Sequence, residues 1–236
     1  MRSWLVLCGV GDRSALWAFQ GLRRYVPHVE LVTADVLACS LRWQHRIGGG
    51  RTSTAIQLAD GRLIAHDTLD GVINRLTSVP SAAFKGASTR DRQYAEEEVL
   101  ALWSSWLYSL PCAVMNRPSG QYPSPGWFAQ SEWVWLAMSA GLLCPLHVES
   151  SRGGDGRHAE ASPAHTVFVV GDTVAPTSVP GYVRDGSIAL AKAAQLSIVS
   201  LGFSERADGA WEFQSASAFP DLMLGGDELL RAIGDS

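Results

Sequence analysis

Residues 4–33 read WLVLCGVGDRSALWAFQGLRRYVPHVELVT, and this stretch decides the fold class. A short apolar run over residues 3–8 is closed by Gly9-Val10-Gly11-Asp12, a helical spacing of apolar residues runs from Ser14 to Tyr25, and a second strand-like run occupies 29–34. Strand, helix and strand in that order make a βαβ unit, and parallel strands joined by a helix imply an open α/β sheet. Working outward, 41–69 reads as strands and turns. Ser53–Leu58 alternates loosely, Asp60-Gly61 signals a hairpin and 62–65 returns. Gly71-Val72-Ile73-Asn74 is a further short strand.

A long amphipathic helix is expected from Asp91 to Leu110, because Val99, Leu102, Trp103, Trp106, Leu107 and Leu110 recur at helical spacing. Asp91 suits its N-cap, Glu96, Glu97 and Glu98 lie where the dipole favours them, and Pro111 stops it. A strand at 112–116, a Pro/Gly/Ser loop at 117–126, a Trp-rich helix to Ala140 and a strand at 143–148 follow. Residues 150–164 carry no apolar periodicity and read as a linker. Beyond it come a strand at 166–171, a turn at Gly171-Asp172, a helix over 185–195, strands near 197–203 and 210–214, and a last helix from Gly226. The expected organisation is a Rossmann-type α/β region at 1–149, the linker 150–164, and a second α/β region at 165–236.

Composition narrows the function classes. Of 236 residues, 47% are apolar and 18% charged, a globular balance, and a net charge of −4 gives no general attraction to nucleic acid or anionic membrane. No stretch is long enough to cross a bilayer, and the apolar opening is too short for a signal peptide. Cys8, Cys39, Cys112 and Cys144 are widely spaced in apolar surroundings, so they read as buried free thiols in a reducing cytoplasm.

Three stretches carry a family resemblance: Asp70–Pro80 (DGVINRLTSVP); Tyr94–Pro118 (YAEEEVLALWSSWLYSLPCAVMNRP), continuing to Pro145; and Thr166–Gly234, with VFVVGD, LAKAAQLS, LGF and DGAWEFQSASAFPDL. In this order they resemble the bacterial RimK-like carboxylate–amine ligases of the ATP-grasp superfamily. The first two match the region that precedes the ATP-binding module, and the third matches the closing segment. The resemblance implies a Rossmann-like pre-ATP-grasp subdomain joined to an ATP-grasp C-terminal half. It also exposes two departures. Where the family carries a lid subdomain with phosphate-binding lysines, this chain has only the linker 150–164, and no lysine occurs from residue 86 to 191. Arg152 and Arg157 on a loop make a poor replacement for it. Where the family has an acidic residue and, two positions on, an asparagine for magnesium, this chain has Ser215 and Ser217, neutral hydroxyls that are weak ligands for a hard cation. Glu212 or Asp221 serves only under a shifted register. No metal and no cofactor are therefore expected.

Asn74-Arg75 and Asn116-Arg117 repeat an Asn-Arg pair at two expected strand ends, where open α/β sheets place ligands. Two guanidinium groups there either clamp a carboxylate or phosphate bidentately, or each pairs with a local acid such as Asp70 or Glu98. Trp43, His45 and Arg46 are candidates to join them, with Tyr94 and Asp12. The Gly9–Asp12 turn lacks the third glycine of a dinucleotide fingerprint and reads first as a plain βα turn. Cys144 and His147, three apart on an expected strand, face opposite sides and do not make a thiol–imidazole pair. Asp155, His158, Glu160 and His165 have nothing to fix a metal geometry. The five tryptophans between 103 and 135 read mostly as core, with a subset free for a partner surface.

The reading that combines these features is a cytoplasmic, bacterial ATP-grasp-like protein without ATP-dependent ligase activity. It acts as a binding subunit or partner in a peptide or small-molecule natural-product pathway. It holds a peptide or small acidic ligand, and forms a homodimer or a complex with a full-length ligase. The alternatives are a nucleotide-independent enzyme (lyase, isomerase or hydrolase) using the vacated cleft, and an atypical ATP-dependent ligase.

Overall fold

Ser3–Cys8 (β1) is buried at all six positions. That is the signature of a parallel strand covered on both faces. The computed structural model describes residues 3–120, 122–148 and 163–236, which fall into two units, Met1–Gly126 and Trp127–Ser236.

After β1 the first unit continues with α1 (Arg13–Leu22), β2 (Val29–Thr33), α2 (Ala34–Ala38), β3 (Arg42–Gly48), β4 (Arg51–Gln57), β5 (Leu63–Ala65), β6 (Leu69–Arg75), α3 (Thr89–Ser109) and β7 (Ala113–Met115). Its main sheet has the order β2-β1-β6-β7 and every pairing in it is parallel. Alternation sends Leu5 and Leu7 into one core with Val72, Val114 and Trp103, Trp106 and Leu107 of α3. α1 packs on β1 and β2. A separate antiparallel sheet, β3-β4-β5, stands between β2 and β6 in the chain, and its Ile56 and Ile64 enter the same core. α3 begins two residues before the expected start. Its N-cap is Ser88 rather than Asp91: the Ser88 Oγ accepts the Asp91 N–H at 3.2 Å and donates to the Asp91 carboxylate at 2.7 Å. Asp91 lies instead in the first turn, where its charge favours the helix dipole.

The second unit holds α4 (Gln130–Ser139), β8 (His165–Val170), β9 (Thr173–Ala175), α5 (Gly181–Ala193), β10 (Ile198–Glu205), β11 (Trp211–Ser217) and α6 (Gly226–Gly234). Its antiparallel sheet runs β11-β10-β8-β9. One face buries Val167, Val169, Val199, Leu201, Phe203 and Phe213 against Trp133 and Leu136 of α4 and Val183 and Leu190 of α5. α6 lies against β8 and β9. The Trp-rich helix thus packs with this sheet. Trp103, Trp106 and Trp133 are core, whereas Trp127 and Trp135 are exposed.

The strand expected at 143–148 does not form. Pro145 has no N–H to donate to a ladder, and Leu146 and Val148 face solvent. The stretch meets the sheet through the Phe213 N–H, which donates to the Leu143 carbonyl at 2.7 Å. The thiols are free, but Cys39 is exposed, contrary to expectation, and only Cys8 is fully buried. No helix among the described residues is long and apolar enough to cross a membrane.

Gly71 explains itself by close approach. A Cβ built on it would lie 2.5 Å from the Trp4 ring, and Trp4 is itself buried on the neighbouring strand. Gly71→Ala is expected to destabilise the protein by about 2 kcal/mol through overpacking. Trp4→Leu should relieve part of that cost, so urea denaturation of the double variant will show non-additivity.

Candidate functional site

The carboxyl ends of β1, β6 and β7 bring Asp12, Asn74, Arg75 and Asn116 into one region, at the point where strand order reverses about β1. In open α/β sheets that crevice is the usual ligand position. Here its charged groups face each other. The Arg75 Nε donates to Asp12 Oδ2 at 2.8 Å and its Nη2 reaches Asp12 Oδ1 at 3.4 Å, with the side chains only 8% and 14% exposed. The same Asp12 carboxylate accepts the Ala15 N–H at 2.9 Å and caps α1. The acid that pairs with Arg75 is therefore the one closing the βα turn, not the Asp70 or Glu98 that proximity in sequence suggests.

Asn74 is equally committed. Its amide donates to the Asn116 carbonyl at 3.0 Å and the Pro123 carbonyl at 2.7 Å, while its Oδ1 accepts the Leu76 N–H at 3.3 Å. Asn116 is buried beside it. Arg117 turns the other way. Its guanidinium donates to the carbonyls of Leu107 at 2.6 Å, Tyr108 at 3.0 Å and Leu110 at 3.5 Å, satisfying the orphan acceptors at the end of α3. In this arrangement one arginine of the repeated pair is half of an ion pair, and the other caps a helix C-terminus.

His45 belongs to a different place. Its Nδ1 meets Thr54 Oγ1 at 2.8 Å and its Nε2 meets Ser105 Oγ at 2.9 Å, bonding the hairpin of β3 and β4 to α3. Burial, and then the neighbouring His66, push its pKa below the usual 6.5, so the ring is neutral at pH 7. The buried Nδ1 of His66 finds no hydrogen-bond partner among the described residues. Trp43, on the same face as His45, meets Trp106 edge to face at 5.5 Å. Arg46 follows His45 on the strand and points to the opposite, solvent face; Tyr94 is an exposed residue of α3.

In the second unit, cross-strand pairing sets the polar face of the sheet. Ser217 lies opposite Ser200, and Ser215 opposite Gly202, which in turn pairs with Thr166. A bulge between Gly202 and Phe203 makes the register skip Gln214, whose side chain donates to Ser204 Oγ at 2.8 Å, and keeps Phe213 in the core. Pro163 closes over this face: a Cβ on Gly202 would lie 2.8 Å from both Pro163 Cβ and Ser215 Oγ. Glu212, opposite Ser204, is the acid carried by the same face of β11.

Cys144 has a thiol pKa pushed up to about 11 by burial and then by Glu212, so it is protonated and a poor nucleophile at neutral pH. His165 stacks on Trp211 at 4.0 Å and faces Glu205 at 3.6 Å. The other members of that considered metal group, Asp155, His158 and Glu160, lie outside the described residues, as does the linker except for 163 and 164. Among the described residues no three His, Cys, Asp or Glu side chains gather as a metal site.

No family model and no curated protein matches the sequence. Solved structures do match in fold. A RiPP-associated ATP-grasp ligase from Chryseobacterium gregarium, in complex with ADP and a leader and core peptide, gives a TM-score of 0.72 at 10% identity, covering 100% of this chain and 96% of that one. The macrocyclase MdnC from Microcystis aeruginosa, bound with precursor peptide MdnA, gives 0.68 at 12% identity over 99% and 98% of the two chains. The ATP-grasp ligase PsnB with its minimal precursor gives 0.63 at 16% identity over 100% and 97%. The chain has an ATP-grasp-like fold. The order of the three quoted stretches points the same way. The ATP-grasp-like reading thus stands on a parallel-sheet unit and an antiparallel-sheet unit together, and identities of 10–16% explain why no single motif suffices.

Arg75→Met is expected to cost about 3 kcal/mol, because it leaves the Asp12 carboxylate buried without its cation. Guanidinium denaturation will measure it, and a loss below about 1 kcal/mol would mean that the pair does not hold the strand ends together.

Proposed function

We propose that this protein is an ATP-grasp-like binding subunit or partner in a peptide-tailoring or related natural-product pathway, working in the cytoplasm without ligating anything itself. The observation that supports it best is the polar face of β10 and β11. The register sets Ser200, Gly202, Ser215 and Ser217 together, with Pro163 resting on Gly202 beside Ser215. Magnesium with a triphosphate favours carboxylate oxygens, and a row of neutral hydroxyls with the lone Glu212 does not fit that group. On this reading the linker 150–164 stands in place of the lid between the regions 1–149 and 165–236, and Ser215 and Ser217 occupy the lost metal positions. The three structural neighbours described above were solved with a leader, core or precursor peptide, which makes a peptide the preferred ligand class and a full-length ligase or a second copy the preferred protein partner.

Titration calorimetry with ATP and magnesium is expected to show no binding at micromolar protein. A dissociation constant in the nanomolar-to-micromolar range would overturn the proposal in favour of an atypical ligase, with Glu212 as the first residue to replace.

One observation favours a second reading, an enzyme that works without nucleotide. Ser105, His45 and Thr54 form a hydroxyl–imidazole–hydroxyl relay of 2.9 and 2.8 Å, the arrangement by which a base activates a serine. It ranks second because Ser105 sits within α3, where the N–H groups of neighbouring turns are consumed by helical bonds and leave no oxyanion donors. A fluorophosphonate probe that labels the wild type and not Ser105→Ala would promote this reading, and absence of labelling would retire it.

A further inference from the structure

The hairpin of β3 and β4 carries positive charge without a nearby acid in sequence. From residue 36 to residue 59 there is no aspartate or glutamate, yet the segment holds Arg42, Arg46 and Arg51, in a protein of net charge −4. The register puts all three on one face: Arg42 lies opposite Gln57, Arg46 opposite Ser53, and Arg51 opposite Gly48. Each arginine is exposed and each cross-strand neighbour is neutral, where an acid is the usual stabilising partner. The other face is turned to α3 through Trp43 and His45, and Ile47 remains exposed on it at 67%.

β3 is also an edge. Among the described residues its seven residues pair with β4 alone, whereas the opposite edge, β5, has only three. Gly49 and Gly50 have φ of 58° and 73°, the two-residue turn that makes Gly48 and Arg51 the hydrogen-bonded closing pair. The His66 N–H donates to the Thr54 carbonyl, so Thr54 turns to β5 and its neighbours Ser53 and Ala55 turn to β3. Alternation then leaves the N–H and C=O groups of Trp43, His45 and Ile47 pointing outward along the edge, without a ladder partner among the described residues.

We infer that the β3 edge is a docking site for an extended peptide segment with alternating acidic residues, added to the sheet as a fourth strand. Backbone pairing with Trp43, His45 and Ile47 supplies the register. Acids at alternate positions of the incoming strand meet Arg42 and Arg46, about 13 Å apart along the edge at the usual strand rise. Its intervening apolar residues fall beside Trp43 and Ile47. This rests on the proposed peptide-binding role and names the site and the chemistry of its ligand. Arginines that merely guard the edge against aggregation would attract acidic chains without regard to pattern or backbone, and that difference is what the test reads.

The probe is fluorescein-labelled Val-Glu-Val-Glu-Val-Glu-Val-Glu, titrated with the full chain by fluorescence anisotropy. Micromolar binding is expected, weakened at least tenfold by the Arg42→Glu/Arg46→Glu variant, by Ile47→Pro, which removes one outward N–H and no ladder bond, and by N-methylation of alternate peptide residues. Val-Val-Val-Val-Glu-Glu-Glu-Glu, of the same composition, should bind at least tenfold more weakly. No binding by the alternating peptide overturns the inference, as does equal binding by the block peptide, the N-methylated peptide or single-stranded DNA. Circular dichroism of each variant guards against misfolding, and the N-methylated peptide tests the backbone pairing on the wild-type protein, with no substitution needed. Failure here with no ATP binding by calorimetry would leave the proposed function standing and remove only this site.

Discussion

A guanidinium that is almost wholly out of water must have an anion at hand, since the cost of an unpaired buried charge runs to several kcal/mol. Arg75 meets that demand through Asp12, and much of the first unit follows from the pair. Asp12 ends the turn after β1 and caps α1, while Arg75 ends β6, so one ion pair ties the beginning of the βαβ unit to the strand inserted beside it. The sheet order β2-β1-β6-β7 makes this the place where the strand order reverses. A protein that kept an open crevice there would leave such groups facing a ligand. This one uses their hydrogen-bonding capacity internally, and Asn74 does the same with the Asn116 and Pro123 carbonyls.

The large elements are legible in the sequence because each has a local physical signature. β1 is a continuous apolar run closed by glycine, α3 carries tryptophans and leucines at helical spacing, and the strand pair of β10 and β11 is separated by an Asp-Gly turn. The misreadings have local causes as well. Residues 143–148 look apolar enough for a strand, but Pro145 removes a donor and the segment meets β11 through the Leu143 carbonyl instead of a ladder. Asp91 has the chemistry of a cap, but Ser88 stands in the right place to bond the Asp91 N–H.

The candidate residues are less legible, because a polar side chain at a strand end declares its type and not its partner. Asn74, Arg75, Asn116 and Asp12 do come together, yet nothing local in Arg117 reveals that it turns back to cap α3. His45 and Arg46 are neighbours in sequence and lie on opposite faces of the hairpin, so they serve different surfaces. Sequence reasoning misses Ser105 and Thr54 altogether: they lie 60 and 9 residues from His45, and the only available signal is a serine on the α3 face that also carries tryptophan.

The strand ends and the β10–β11 face share one logic. At the strand ends Arg75 and Asn74 are bonded within the chain, and the β10–β11 face presents the neutral hydroxyls of Ser200, Ser215 and Ser217. The β3–β4 hairpin shows the reverse: among the described residues β3 pairs on one side alone, and its arginines face neutral neighbours across the strands. Three like charges on one face repel one another, and the same charges discourage edge-to-edge pairing with a second copy of the hairpin. A surface of that kind is better suited to recognising an extended chain than to chemistry on a small molecule, since its donors are spread along a strand rather than converged on one atom. On the proposal made above, peptide recognition falls to the hairpin, while Asp12 and Arg75 tie the strand ends of the first unit together.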